Sequence, residues 1–292
     1  EAMMPENQPK SLVIIGAGAI GVEFAHFYQT FGTEVTIIEA LPNILPVEDE
    51  DISIELEKLF KKRKMNIFTN TMVEKIEKNK SKVKVHLKSG EIIEADKALI
   101  AVGVQGNIEN LGLEDCNITV EEGWIKVNEY METSLSNVYA IGDVAGPPWL
   151  AHVASAEGIT AVEHLAGLNP DPMKYDNIPG CTYCHPEVAS VGLTEKAAKE
   201  KGYEVKIGNF PFRGLGKSMA VGDTDGFVKV VYDAKYGEML GCHILGAEAT
   251  NLITEAVIAR NLETTHREVL KTIHPHPTLS EAIMEATADA LG

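Results

Sequence analysis

The chain is poor in the residues that mark several large protein classes. Four cysteines in 292 residues (Cys116, Cys181, Cys184 and Cys242) are too few for a secreted disulfide framework and fit a reducing compartment. The expected location is therefore cytoplasmic, with the mitochondrial matrix as the alternative. No run approaches the roughly 18 apolar residues that a membrane span needs, so no membrane partner is expected. Cations are scarce: 26 Lys and Arg stand against 43 Asp and Glu, a formal charge of −17. Such a balance repels phosphate backbones and argues against nucleic-acid binding. There is no internal repeat, no low-complexity tract and no secretory signal. The chain opens abruptly, with ten polar or proline-containing residues before a buried-looking strand, so residue 1 is not expected to be the natural start.

What is present has an alternating α/β texture. Ser11–Ile15 reads as a parallel strand, followed by Gly16-Ala-Gly18-Ala-Ile-Gly21 and a helical pattern through Phe31, with Phe24, Phe27 and Phe31 at helical spacing. Glu34–Glu39 reads as the next strand, a helix over about Glu50–Lys64 as its successor, and Asn66–Thr69 as a third strand. Alternation near Met72–Ile76, Lys82–Leu87 and Ile92–Ala95 predicts an antiparallel meander, after which Lys97–Val102 rejoins the parallel sheet. Lys61-Lys62-Arg63-Lys64 closes a helix and reads as a solvated helix end, where cations complement the macrodipole.

From about residue 107 the elements shorten. Strands are expected around Ile118 and Ile125 and at Val138–Ile141, then a helix over about Leu150–Leu165, then a linker at Gly167–Pro172. Beyond it come strands at Glu187–Val191, Glu204–Pro211, Gly226–Tyr232 and Met239–Leu245. Helices follow at about Thr250–Arg260, Arg267–Ile273 and Ser280–Ala290, an α+β pattern.

A lone GxGxxG is weak, but here it follows a strand, opens a helix, and has Glu39 eighteen residues past Gly21 at the end of the next strand. Gly16 makes the turn, Gly18 lets the backbone approach a pyrophosphate, and Gly21 lets the helix pack on the sheet, while the helix N-terminus supplies donors. The alternative is a βαβ turn without a ligand. A carboxylate at Glu39 accepts from a ribose 2′-hydroxyl and repels a 2′-phosphate. Ala40, Leu41, Pro42 and Asn43 offer no arginine to neutralise one, which favours NAD over NADP.

A second site is flavin-like. The run Thr133–Asp143 ends on Gly142 and Asp143, with the carboxylate placed for a ribityl hydroxyl and the glycine leaving room for the chain. Leu150-Ala151-His152 opens the following helix, whose amides would face the flavin's pyrimidine edge. An ordinary Asp turn remains equally open from the residues alone.

The third feature is His274-Pro-His276-Pro-Thr-Leu-Ser-Glu281. His276 sits between two prolines, and Glu281 is placed to fix one ring nitrogen and leave the other for acid–base work. Thr278–Glu281 equally reads as a capping box, in which Glu281 only satisfies the helix start. His274 and His276 as metal ligands are disfavoured, because no carboxylate or cysteine accompanies them at metal-site spacing. Cys181-Thr-Tyr-Cys184 invites a redox reading. The stretch from Cys181 to Val191 reads as strand-like throughout, however, which would hold the two thiols ~10 Å apart on opposite faces, so it is read as two unpaired thiols.

These motifs, together with Tyr139–Asp143 and His185–Gly192, resemble the flavin disulfide reductase family, and within it the dihydrolipoamide dehydrogenases, over all 292 residues. The resemblance implies a Rossmann-like NAD-binding domain with an antiparallel meander (1–106), a small central FAD-contacting domain (107–174) and an α+β dimerisation domain (175–292). It implies that Gly16, Ala17, Gly18, Ala19, Ile20, Gly21, Val22, Glu23, Glu39, Val73 and Gly103 serve NAD, with Glu23 near the nicotinamide and Val73 near the adenine. Asp143 with Trp149, Leu150, Ala151 and His152 would contact FAD. His276 would be the acid–base, paired with Glu281 and serving a partner subunit's disulfide in a homodimer, and the helices after Thr250 would form the dimer surface. The family's opening FAD domain, with its redox Cys-x4-Cys, is expected to be missing, and this chain alone to be inactive.

Val102–Asn107 departs from the family's Gly-Arg-x-Pro-Asn. The intact protein is expected to oxidise dihydrolipoamide with NAD+ through a disulfide and FAD, working on the lipoyl domain of a 2-oxo acid dehydrogenase or glycine cleavage complex. Glutathione reductase is disfavoured by Glu39, and mercuric reductase by the lack of a C-terminal cysteine pair. A non-catalytic NAD-binding and dimerisation module is the alternative from another class.

Overall fold

A computed structural model describes residues 2–292. Packing divides it into two compact units, one running through Val102 and resuming at Pro179–Gly292, the other Gly103–Ile178.

In the first unit, β1 (Ser11–Ile15), β2 (Glu34–Ile38), β3 (Asn66–Phe68) and β7 (Lys97–Ile100) form a four-stranded sheet in the order β3-β2-β1-β7. All three pairings are parallel. Helices α1 (Ala19–Thr30) and α2 (Glu50–Lys62) supply the crossovers. The meander is β4 (Val73–Lys78), β5 (Val83–Leu87) and β6 (Ile92–Ala95), paired antiparallel. Both faces of the parallel sheet are covered, which is why its strands read as continuous apolar runs. Val13 and Ile38 pack with Val85, Leu87 and Ala95 of the meander. Ile14 and Ile37 pack with Val22, Ala25 and Tyr28 of α1 and Leu56 and Phe60 of α2.

Two details of that half differ from expectation. The buried face of α1 is Gly21, Val22, Ala25 and Tyr28, whereas Phe27 and Phe31 are 47% and 63% exposed and rest on each other with centroids 5.0 Å apart. Nor is the basic run at the end of α2 wholly solvated: Arg63 donates to the His185 carbonyl and faces Asp225 at 3.8 Å.

The rest of the first unit is a five-stranded antiparallel sheet in the order β10-β11-β14-β13-β12. Its strands are β10 (Gly180–Thr182), β11 (Glu187–Gly192), β12 (Val205–Pro211), β13 (Phe227–Asp233) and β14 (Met239–Gly246). Two six-residue helices, α4 (Glu195–Glu200) and α5 (Gly216–Val221), were not anticipated. The later helices α6 (Ala249–Asn261), α7 (His266–Lys271) and α8 (Glu281–Asp289) lie where the apolar periodicity puts them. Ile253, Ala256, Val269, Ile283 and Ala286 from these helices join Val228, Val230 and Ile244 in one core. Close approach of α8 depends on Gly208, where a Cβ would lie 1.8 Å from the Ala286 carbonyl oxygen.

The cysteine segment is not one extended run. Thr182 pairs with Val188 across a tight turn, and the Cys184 amide folds back on the Thr182 carbonyl at 3.1 Å, so the distance argument drawn from an extended chain fails there. All four cysteines are nevertheless free.

In the second unit, β8 (Val120–Glu121) and β9 (Trp124–Ile125) form a small ribbon, and α3 (Ala151–Leu165) is its one α-helix among the described residues. The strand expected at Val138–Ile141 is reduced to a single bridge, Glu132 to Tyr139. The segment meets Met131–Thr133 through Thr133 N to Val138 O at 2.9 Å and Ala140 N to Met131 O at 3.0 Å, and closes its own turn through Val138 N to Leu135 O at 3.1 Å. A 3-10 turn over Gly142–Ala145 follows at once.

Candidate functional site

The glycine-rich turn separates three jobs. Gly16 has φ +97°, and a Cβ there would lie 2.3 Å from the Ala101 carbonyl oxygen, so the turn needs both the left-handed backbone and the missing side chain. A Cβ on Gly21 would lie 2.0 Å from the Gly16 oxygen, so glycine lets α1 start against the strand. Gly18 differs: its backbone is extended, and a Cβ there would meet nothing within 4 Å. It caps α1 without any side-chain acceptor, beside exposed Ala19 and Ile20, so the helix start with its partial positive charge faces open space. Ala17 and Val22 are buried beneath.

Glu39 is 8% exposed, at the end of β2. One carboxylate oxygen accepts from the Ala17 amide at 2.7 Å and the other from the Leu41 amide at 2.9 Å. Two backbone donors fix the group beside the glycine turn and leave acceptor capacity on each oxygen. Val73 opens β4 and packs against the cluster beneath β1 and β2. Glu23, one turn along α1, accepts from the Tyr183 amide at 2.8 Å, which joins the helix to the β10–β11 turn. In the second unit Gly103 is exposed with φ +143° and open space at its Cβ position.

Asp143 is exposed on the 3-10 turn, and Leu150 caps α3 with no side-chain acceptor, leaving exposed Ala151 and His152 to open the helix. Trp149 has a buried indole Nε1 without a hydrogen-bond partner. Glu157 is the residue that sequence reasoning missed. It is 4% exposed, accepts from the Gly142 amide at 2.7 Å and from the Tyr175 hydroxyl at 2.8 Å, and so braces the turn that presents Asp143. Burial, then the neighbouring Glu157 carboxylate, pushes the Tyr175 hydroxyl well above its ordinary pKa. The signal was available: Val153, Glu157, Thr160 and Ala161 share the buried face of α3, and a carboxylate on such a face needs a partner.

His276 Nδ1 lies 2.8 Å from Glu281 Oε1, and Glu281 Oε2 accepts from the Thr278 amide at 2.8 Å. The orienting reading holds; the capping box does not form, because α8 starts at Glu281 with Ser280 as its N-cap and no side-chain cap bond, and Glu281 Oε2 instead ties the turn before the helix. The Thr278 amide, then the His276 ring, hold the Glu281 carboxyl below the usual carboxylate range. The His276 side chain is 75% exposed and that of Glu281 15%, so the orienting group is sheltered and the ring is presented. Pro275 is tied in by Thr278, whose hydroxyl donates to its carbonyl at 2.7 Å. His274 points elsewhere, to Glu255 on α6 at 2.7 Å. Among the described residues no group of three or more His, Cys, Asp or Glu gathers as a metal site. Burial pushes the thiols of Cys184 and Cys242 up to about 12, so they are held as thiols rather than nucleophiles. Among the described residues no helix is long and apolar enough to cross a membrane.

Comparison with known proteins agrees with this arrangement. Residues 1–158 match the family model described as pyridine nucleotide-disulphide oxidoreductase, and residues 178–287 match the dimerisation domain of the same family. Dihydrolipoyl dehydrogenase of Rhizobium etli is 50% identical over 297 residues, covering 100% of this chain and 62% of that protein. The Bacillus subtilis dihydrolipoyl dehydrogenase is 48% identical, covering 100% and 63%. Among solved structures, Mycobacterium tuberculosis LpdA superposes with a TM-score of 0.90 at 27% identity, covering 97% of this chain and 62% of that one. The HOCl-induced flavoprotein disulfide reductase RclA of Escherichia coli gives 0.90 at 28% identity, covering 97% and 66%. The chain thus spans less than two thirds of the length of the dihydrolipoyl dehydrogenases it matches. Matched by these family models over residues 1–158 and 178–287, the chain belongs to the pyridine nucleotide-disulphide oxidoreductase family.

Proposed function

We propose that this chain is the nicotinamide-binding and proton-handling part of a dihydrolipoamide dehydrogenase, which oxidises dihydrolipoamide with NAD+. The observation that carries the reading is the His276–Glu281 pair, an exposed imidazole held at Nδ1 by a sheltered, doubly engaged carboxylate. An ionised Glu281 accepts from Nδ1–H, which leaves the Nε2 lone pair for a thiol proton, and Glu281 then stabilises the imidazolium that forms. The ring's exposure suits service to a disulfide on a second copy of the chain's protein, in a homodimer built through residues 178–287.

NAD would lie over Gly16–Glu23. The open Gly18 position leaves room for the pyrophosphate, the start of α1 supplies its donors, and Glu39 accepts from the ribose hydroxyls. FAD would be held by Asp143 and by Trp149–His152, where the unpaired indole Nε1 and the uncapped start of α3 offer donors. When bound, FAD supplies two-electron transfer between a dithiol and the nicotinamide. We assign residues 1–106 to NAD binding, 107–174 to the central domain and 175–292 to dimerisation. The partner would be a lipoyl domain of a 2-oxo acid dehydrogenase or glycine cleavage complex, in the cytoplasm, as the bacterial relatives favour.

The test is His276→Gln in the enzyme that contains this chain, assayed for dihydrolipoamide-dependent NADH formation. Loss of a positioned base costs roughly 10²- to 10⁴-fold. A rate within tenfold of wild type would sink the assignment. The 292-residue chain alone should bind NAD and show no dithiol-dependent NADH, because its buried thiols are held protonated and all four are unpaired.

A further inference from the structure

The two histidines of the His-Pro-His run do different work. His276 is presented to solvent, while the His274 side chain is only 4% exposed. Its ring lies between two groups that only accept: Nε2 is 2.7 Å from Glu255 Oε1, and Nδ1 is 3.0 Å from the Thr272 carbonyl. A neutral imidazole donates from one nitrogen only, so meeting both acceptors takes the doubly protonated ring. Glu255 stands on α6 between the buried residues Ile253 and Ala256, on a helix packed into the core of the antiparallel sheet.

We propose that His274 is a positioning residue for the His276–Glu281 pair: a buried imidazolium, clamped between Glu255 and the Thr272 carbonyl, that pins the start of the proline turn to α6. The inference rests on the reading of His276 as the proton-transferring group. One residue, Pro275, with its backbone φ fixed by the ring, separates the clamp from His276. On the far side of His276 the turn is closed by Thr278, through its hydroxyl to Pro275 and its amide to Glu281. His276 is thus held from both directions, its preceding anchor being the contact of enclosed His274 with Glu255. The charge on His274 also reaches Glu281, adding to what keeps that carboxyl ionised. The titratable groups facing His274 are Glu255 from α6 and Glu281 from α8.

The test is imidazole nitrogen NMR on the 292-residue chain labelled at histidine. In the wild type at neutral pH, His274 should show two protonated nitrogens and His276 a single Nδ1–H tautomer. In His274→Gln, His276 should lose that single tautomer and average between the two, with the amide spectrum outside the turn unchanged. In Glu255→Gln, His274 should lose its second proton and His276 its fixed tautomer, an arm that decides the matter if His274→Gln does not fold. A His274 ring with one proton in the wild type, or an unchanged His276 tautomer in a folded variant, would overturn the proposal while leaving the role of His276 intact. A His276 ring already averaging in the wild type would overturn the functional reading, and this proposal with it.

Discussion

Lys229 on β13 is the cation whose removal should cost most. Its side chain is 2% exposed, and Nζ lies 2.8 Å from Asp49, 2.5 Å from Asp51 and 2.8 Å from Glu195. This one ammonium joins the start of α2, beside the parallel sheet, to α4 and the antiparallel sheet. Asp51 and Glu195 are 54% and 27% exposed, so water can take over for Lys229 there. Asp49, at 2%, has no such recourse. Removing one partner of a buried pair costs about 3–5 kcal/mol. Asp49 keeps two backbone donors, the Asp51 amide at 3.2 Å and the Glu195 amide at 3.1 Å, which puts Lys229→Met near ~3 kcal/mol, the low end of that range. With a urea m-value of ~3 kcal/mol/M, the midpoint should fall by about 1 M. Far-UV circular dichroism follows the helices of this unit, whereas Trp124 and Trp149 both lie in Gly103–Ile178 and report on the other. Lys229→Met with Asp49→Asn should recover part of the loss, because the stranded charge is gone. A circular dichroism midpoint for Lys229→Met within about 0.2 M of wild type would refute the claim that the network carries buried charge.

Three further outcomes are expected. Gly18→Val should cost no more than about 1 kcal/mol of stability, from replacing a glycine N-cap, and weaken NAD binding by at least about tenfold, roughly 1.4 kcal/mol, whereas Gly21→Ala should cost about 3 kcal/mol of stability through its clash with the Gly16 oxygen. Calorimetric NAD titration and thermal melting separate the two, and equal behaviour of the pair would contradict the division of labour. His243 is fully buried, and burial lowers its pKa from the ordinary 6.5. A ring that takes up a proton only when unfolded gives stability that is complete above about pH 6.5 and lost progressively below it. His243→Gln, which keeps a donor for the Leu193 carbonyl, should flatten urea stability between roughly pH 6.5 and 5.5, and an unchanged slope would rule His243 out as its source. Finally, a thiol reagent should modify exposed Cys116 promptly and reach buried Cys184 and Cys242 only on unfolding, as read by mass after quenching.

What the residues disclosed follows the range of each interaction. The βαβ unit, the meander and the antiparallel sheet are encoded by periodicity and turn chemistry within a few residues, and they appear in place. Periodicity does not say which face of a helix will be covered. Phe24, Phe27 and Phe31 recur at three- and four-residue spacing, yet only Phe24 packs against the core that Val22, Ala25 and Tyr28 enter, and Phe27 and Phe31 stay exposed. Contacts between distant segments leave no local trace at all. Lys229 and Asp49 are 180 residues apart, and only folding shows that a lysine inside an apolar strand has three carboxylates waiting. Glu157 is intermediate: its helical face was readable, but its partners Gly142 and Tyr175, on either side in the chain, were not.

The end of the chain shows how one of two local readings gives way. A carboxylate three residues after Thr278 fits a capping box, and the same carboxylate five residues after His276 fits an orienting partner. Helix α8 starts at Glu281 itself, with Ser280 as its N-cap and no side-chain cap bond, so no capping box forms. The Thr278 hydroxyl donates to the Pro275 carbonyl instead. One half of the pattern survives in another role: Glu281 Oε2 accepts from the Thr278 amide while Oε1 faces His276 Nδ1. The bond to the turn makes the orientation dependable, because an oxygen held by the Thr278 amide fixes the other in front of His276, and the same bond favours the ionised form that must face Nδ1–H. Losing Glu281 therefore loosens the proline turn and frees the ring together.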